Sequence, residues 1–189
     1  SLITLTTDFG LSDHYVAVMK GVIANINPNA TLIDICHQIP AHGIAEAAFT
    51  VAQSYQYFPP DTTHLIVVDP GVGSNRKILL VEIPDHRFIV PDNGILSQIF
   101  ERVTDYQVWS VDIHRFALDP MSETFHGRDI LAPVAAHVAT GKASSEFGQL
   151  FKNPKRLPPT KPKKISKRHW QGTVLSIDHF GNIVTSFPN

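Results

Sequence analysis

Cys36 is the only cysteine in the chain, so no intrachain disulfide can brace it. Such cysteine usage makes a reducing, cytoplasmic compartment the default expectation. Long apolar runs are missing too. None reaches the ~18 residues of a membrane-spanning helix, and no membrane partner is expected. The opening LITLT reads as a strand, not as the apolar core of a secretory leader. Metal signatures are also lacking: the ten histidines form no HExxH pair, and a single cysteine cannot make a zinc knuckle. A metal site built from Asp8, Asp69 and His126 has no supporting spacing, so no metal is expected.

Acidic residues are absent from KNPKRLPPTKPKKISKR, residues 152–168, which hold eight of the sixteen Lys and Arg. A basic run can mark nucleic-acid binding. Here four prolines favour an extended linker, and no aromatic is interleaved for base stacking. No nucleic-acid partner is expected. The rest of the chain carries eight basic against 17 acidic groups, a formal −9. Such a body repels phosphates and mildly attracts cations.

At 189 residues and 43% apolar composition the chain can bury one full domain and part of another. Strand-like runs at 2–6, 31–35, 64–68 and 106–111 alternate with helical periods. Tyr15, Val18, Met19, Val22, Ile23 and Ile26 share one helical face, and the period returns over 44–58 until Pro59–Pro60 stops it. Runs 78–83 and 87–90 read as a hairpin, and 93–103 and 129–139 as helices. This order predicts an α/β domain over 1–151, a mostly parallel sheet with helices on both faces. Residues 152–168 follow as the linker. Residues 169–189 hold two strand-like runs around a DHFG turn. A lone hairpin is marginal in water, so the segment reads as the truncated start of a small all-β domain.

Ligands of parallel sheets sit beyond the carboxyl ends of the strands, which singles out particular loops. Asp8 in TDFG can clamp a ribose diol or cap the next helix. The DFG triplet also occurs in protein kinases, but no glycine-rich phosphate loop or HRD loop accompanies it. In VVDPGVGSNR, Gly71 and Gly73 let the chain fold Arg76 back on Asp69. That pair is either a structural ion pair or a polar clamp for a small nucleophile. His126 in TFHGRD is placed to orient or deprotonate a water, or to cap a helix. Asp92 and Asn93 in VPDNG read as caps. Asp178, Phe180 and Asn182 form a turn around Gly181 that could also present polar groups to a ligand.

Taken in order, TDFG with D-x-Y-V-A-x-M-K-G, VVDPGVGSNR, VPDNG, TFHGRD and D-x-FGN-x-V-T resemble the S-adenosylmethionine (SAM) hydroxide adenosyltransferases. These are water-using relatives of the fluorinase and chlorinase. The resemblance runs from Thr7 to Ser186. It implies conversion of SAM and water to adenosine and L-methionine, with SAM as substrate and no cofactor. It also implies that the C-terminal β domain is a small barrel, and a homotrimer with active sites at subunit interfaces.

By the resemblance, Asp69, Arg76 and His126 are the catalytic, water-handling triad, with His126 the first candidate to take the water's proton and Asp69 the next, and Asp8 holds the ribose hydroxyls. Phe125 and Gly127 are substrate contacts. Asp178 meets the methionine amino group, Phe180 packs near the adenine and Asn182 hydrogen-bonds it. His42 lies where the fluorinase places a tryptophan against the ribose. The halide-using members lack this Asp and His and have a serine at the position of Gly127. The chain follows the water-using pattern. The alternatives are halide transfer and a SAM- or adenosine-binding module without turnover.

Overall fold

The computed structural model describes residues 1–187, and it divides into two units, Ser1–Arg156 and Leu157–Asn189. In the first unit, β1 (Leu2–Thr7), β2 (Thr31–Cys36), β3 (Thr62–Val67), β4 (Ile78–Ile83), β5 (His86–Pro91), β6 (Gln107–Val111) and β7 (Gly148–Leu150) form one sheet. Its order is β2-β1-β3-β5-β4-β6-β7. The ladders among β2, β1, β3 and β5 are parallel, and those from β5 through β4 and β6 to β7 are antiparallel. β1, β2, β3, β5 and β6 therefore run in one direction.

Helices cover both faces. α1 (Tyr15–Ile26) and α5 (Ala132–Val138), which follows the short α4 (Ile113–Phe116), pack together on one side, where Met19 and Ile23 meet Ile3, Leu5 and Leu65 in a fully buried cluster. Each such side chain contributes about 1.5–3 kcal/mol on leaving water. α2 (Ile44–Ser54) and α3 (Ser97–Arg102) pack together, with Ala47, Ala48, Val51 and Ala52 buried. The alternation of β1 explains the two faces: Ile3 and Leu5 point one way, Thr4 and Thr6 the other.

The chain passes from β1 through α1 to β2, then returns through α2 across β1 to β3. β1 and β3 thus flank the point where the winding reverses, the place where open α/β sheets bind ligands. Asp8 and Asp69 lie just beyond the carboxyl ends of these two strands.

Several elements depart from the sequence pattern. The helix expected over 93–103 begins at Ser97, because the preceding residues serve other bonds: Asn93 Nδ2 donates to Val68 O at 2.8 Å, and Asp92 Oδ1 accepts the Lys155 N–H at 2.8 Å. Neither residue caps the helix. A π-turn, Gly127–Leu131, precedes α5. Tyr15 sits on the expected apolar face of α1 yet is 39% exposed.

The second unit holds two small antiparallel ladders. β8 (Lys163–Lys164) pairs with β9 (Trp170–Gln171), so part of the expected linker is strand. β10 (Val174–Ile177) pairs with β11 (Ile183–Thr185). The last two positions of the expected 169–189 segment lie outside the described residues.

Candidate functional site

The loop after β3 is wound by its own short-range bonds. Val72 N–H donates to Asp69 O, and the Ser74 hydroxyl donates to Gly71 O at 2.6 Å. Gly73 has φ +78°, and a Cβ there would fall 2.9 Å from Glu123 O in the loop that carries His126. Glycine is required on both counts. The winding returns Arg76 to Asp69. Arg76 Nε donates to Oδ1 at 2.9 Å and Oδ2 at 2.6 Å, and Nη2 lies 2.5 Å from Oδ2. Both side chains are buried, with 6% and 5% exposure.

Arg76 Nη2 also reaches His126 Nδ1 at 2.9 Å. A guanidinium can only donate, so Nδ1 is the acceptor and the ring proton lies on Nε2. Burial and the adjacent Arg76 push the imidazole below its ordinary pKa, against the pull of Asp69, Asp129 and a bond to the Ser122 backbone. The His126 loop is tied by Asp129, whose carboxylate accepts the Ser122 N–H at 2.9 Å and pairs with Arg128. Burial works against the charge of Asp129, but these donors outweigh it and hold its pKa below the usual value.

Asp8 faces this assembly from the first loop. Its Oδ2 accepts the backbone N–H of His42 at 2.8 Å, and His42 holds a positive φ of 63°. Asp8 is not a cap, since α1 begins after His14. His37, which the sequence did not single out, joins the two loops. Its Nδ1 lies 2.9 Å from Thr7 Oγ1, and its carbonyl accepts the Gly10 N–H at 2.7 Å. Asp34 Oδ1 is 2.9 Å from His37 Nε2, off the line of a ring N–H bond, and Asp34 also pairs with Lys20 at 2.6 Å. The available signal was its place one residue beyond β2.

These loops enclose an open cleft of about 320 Å³. Asp8, His42, Asp69, Phe125, His126 and Gly127 all line it; Arg76 does not, and stands behind Asp69 and His126. Phe9 and Tyr15 complete one wall. A larger groove of about 500 Å³ beside β6 and β7 contains none of these residues. Convergence of polar groups, not size, marks the site. Among the described residues, no group of three or more His, Cys, Asp or Glu side chains could hold a metal ion.

Asp178, Phe180 and Asn182 belong to the second unit and form a tight turn there. Asp178 Oδ1 accepts the N–H groups of Phe180 at 2.9 Å and Asn182 at 2.8 Å, and Oδ2 accepts Asn182 Nδ2 at 2.6 Å. These bonds, led by the Asn182 side chain, lower the Asp178 pKa. Gly181 takes φ +86°, and Phe180 is 87% exposed.

A model of the SAM hydroxide adenosyltransferase N-terminal domain matches residues 3–148. The chain is 36% identical to an (R)-S-adenosyl-L-methionine hydrolase of Methanocaldococcus jannaschii, over 98% of this chain and 66% of that protein. A fluorinase of Actinopolyspora mzabensis is 25% identical over 98% of the chain and 71% of its own length. A crystal structure of a conserved protein from Thermotoga maritima superposes with a TM-score of 0.91 at 36% identity, covering 100% of this chain and 72% of that one. The chain spans about two thirds of the length of the curated relatives it matches.

Proposed function

This chain belongs to the SAM hydroxide adenosyltransferase family, and on that premise we propose that it is an enzyme hydrolysing SAM to adenosine and L-methionine. The observation that carries the proposal is the continuous contact of Asp69, Arg76 and His126 at a cleft faced by Asp8.

The reaction is a displacement at ribose C5′. The C5′–S bond breaks with both electrons going to sulfur, so a sulfonium becomes a neutral thioether. Water oxygen bonds C5′ and loses one proton. The leaving group needs no acid, and the chemistry calls on no cofactor beyond the substrate's own charge. The nucleophile is the difficulty, since water is weak and hydroxide scarce at pH 7.

Asp69 is the carboxylate of the triad at the cleft, and it receives the proton as the C–O bond forms. His126 is the poorer acceptor in this arrangement, because its Nδ1 lone pair is taken by Arg76 and its other ring nitrogen carries the proton. It binds the water as a neutral ring. Arg76 fixes both partners and offsets the carboxylate's charge. A positioned base contributes about 10²–10⁴-fold. Asp8 holds the ribose so that C5′ lies between water and sulfur, and such orientation can contribute about 7–11 kcal/mol.

Halide transfer is the second reading, prompted by the fluorinase relative. A carboxylate at the nucleophile's position repels a halide, and Gly127 leaves little room for a side chain: a Cβ would lie 3.2 Å from Val67 and 3.3 Å from Met19 and Phe125. We also propose a homotrimer with sites at subunit interfaces and a cytoplasmic location. Exposed Leu11, Val72 and Met121 support the first; a lone cysteine supports the second. No helix among the described residues is long and apolar enough to cross a membrane.

The test is turnover of SAM with added chloride or fluoride. Adenosine and L-methionine as products support hydrolysis. A 5′-halo-adenosine replaces it with halide transfer, and no turnover with retained binding leaves a sensor module.

A further inference from the structure

Three aromatic rings from two segments meet at one wall of the cleft. Phe9 and Tyr15 have centroids 5.6 Å apart at 53°, and Phe125 packs edge-on against both, 5.8 Å from Phe9 at 77° and 5.1 Å from Tyr15 at 80°. All three line the cleft. Tyr15 lies on the face of α1 that the sequence marks as core, yet it remains 39% exposed. An aromatic cluster kept open at a polar site calls for a ligand.

The charges around the wall specify what kind. The cleft is bordered by the carboxylates of Asp8 and Asp69, while the site's guanidinium, Arg76, stands behind them. Carboxylates together with aromatic faces attract a cation, because the ring face is the negative part of its quadrupole. Phe125 already carries Arg128 at 5.2 Å from its centroid, and His14 lies 4.8 Å from Tyr15. Phe125 is therefore the buttress, and the ring surface left for a ligand is that of Phe9 and the part of Tyr15 not packed against His14.

We propose that Phe9 and Tyr15 form a cation-recognition wall that receives the substrate's sulfonium and sets the preference for a charged over a neutral sulfur. This rests on the SAM reading of the site and names the contact that reading leaves open. The wall comes from the β1–α1 connection, which carries Phe9, and from the first residue of α1, Tyr15. The water-handling groups come from the loop after β3 and the loop before the π-turn. Displacement in line needs sulfur and water on opposite sides of C5′, so on this proposal the sulfonium meets Phe9 and Tyr15 while the water meets Asp69 and His126. Before reaction the rings favour the cation. After the C5′–S bond breaks the sulfur is neutral, and the hold on methionine weakens.

The test compares two unreactive ligands by calorimetry on the full chain: sinefungin, with an ammonium in place of the sulfonium, and S-adenosylhomocysteine, with a neutral sulfur. Phe9→Leu and Tyr15→Leu keep apolar bulk and remove the ring. Each is expected to weaken sinefungin by roughly 2- to 30-fold while S-adenosylhomocysteine changes less than about twofold. Tyr15→Phe keeps the ring and should bind sinefungin as the parent does. Equal losses for both ligands would mean packing or nucleobase stacking and overturn the proposal, as would no loss for either. Parent protein that binds neither ligand would instead overturn the SAM reading, and this inference with it. Thermal melts of each variant separate a binding change from unfolding.

Discussion

The imidazole of His126 accepts a hydrogen bond from the guanidinium of Arg76 at 2.9 Å, across fifty residues of sequence. Through Arg76 it is coupled to Asp69, so two groups that border the cleft share one buried brace. A change at any of the three is a change in all.

Arg76→Lys keeps the charge and loses the fork that spans both partners. We expect kcat to fall about 10²–10⁴-fold, with KM for SAM altered only a few-fold, since Arg76 does not line the cleft. Arg76→Ala should also destabilise the fold by about 3–5 kcal/mol, because Asp69 is left buried without its partner. Steady-state kinetics and denaturant melts check the two effects separately.

On the proposed mechanism His126 works as the neutral ring, since a proton on Nδ1 would confront the Arg76 N–H. Burial and Arg76 lower its pKa from the ordinary 6.5. The neutral form therefore persists as pH drops past 6.5, and the acid limb of the kcat/KM profile should lie below that value. A limb at or above 6.5 would contradict this role.

His37 holds Thr7 and Gly10, which flank Asp8 and Phe9, and on the proposed mechanism it positions Asp8 through them. His37→Ala and Thr7→Val should each raise KM for SAM roughly tenfold, the scale of one buried hydrogen bond, with kcat changing less. The double variant should cost little more than either single one, because both break the same contact. Additive losses would show that they act separately.

His64 is a stability matter. It is fully buried at the other end of β3, 2.7 Å from Thr4 Oγ1 and 3.2 Å from His86, and burial, with His86, pushes its pKa down to about 3. A group with a depressed folded pKa that is charged when protonated favours the fold above its unfolded pKa, near 6.5. That contribution is lost as pH falls from 6.5 toward 3, on the order of 3–5 kcal/mol in all. Melting temperature should drop across this window, and His64→Gln should flatten the slope.

Much of the fold was legible because strands and helices differ in apolar period: α1 lies where the spacing of Met19 and Ile23 puts it. The Asp69–Arg76 contact was legible because Gly71 and Gly73 permit the tight turn that brings Arg76 back to Asp69. What was not legible depends on partners distant in sequence. Asn93 holds Val68, and Asp92 holds Lys155, so both look like caps until the sheet is assembled. His37 is one of ten histidines, and only its contact with Thr7 distinguishes it. Tyr15 obeys the helical period but faces the cleft, because the loop before α1 turns that end of the helix toward the site. Two-residue strands such as β8 and β9 are too short to carry any period.

The most direct measurement is turnover of SAM in ¹⁸O-labelled water, with the adenosine analysed by mass spectrometry. Attack of water on C5′ places one ¹⁸O in the 5′-hydroxyl of every adenosine formed, and Arg76→Lys and His126→Ala lose that product while still binding the substrate. Unlabelled adenosine, or labelled adenosine formed at the parent rate by those variants, would contradict water activation by Asp69, Arg76 and His126.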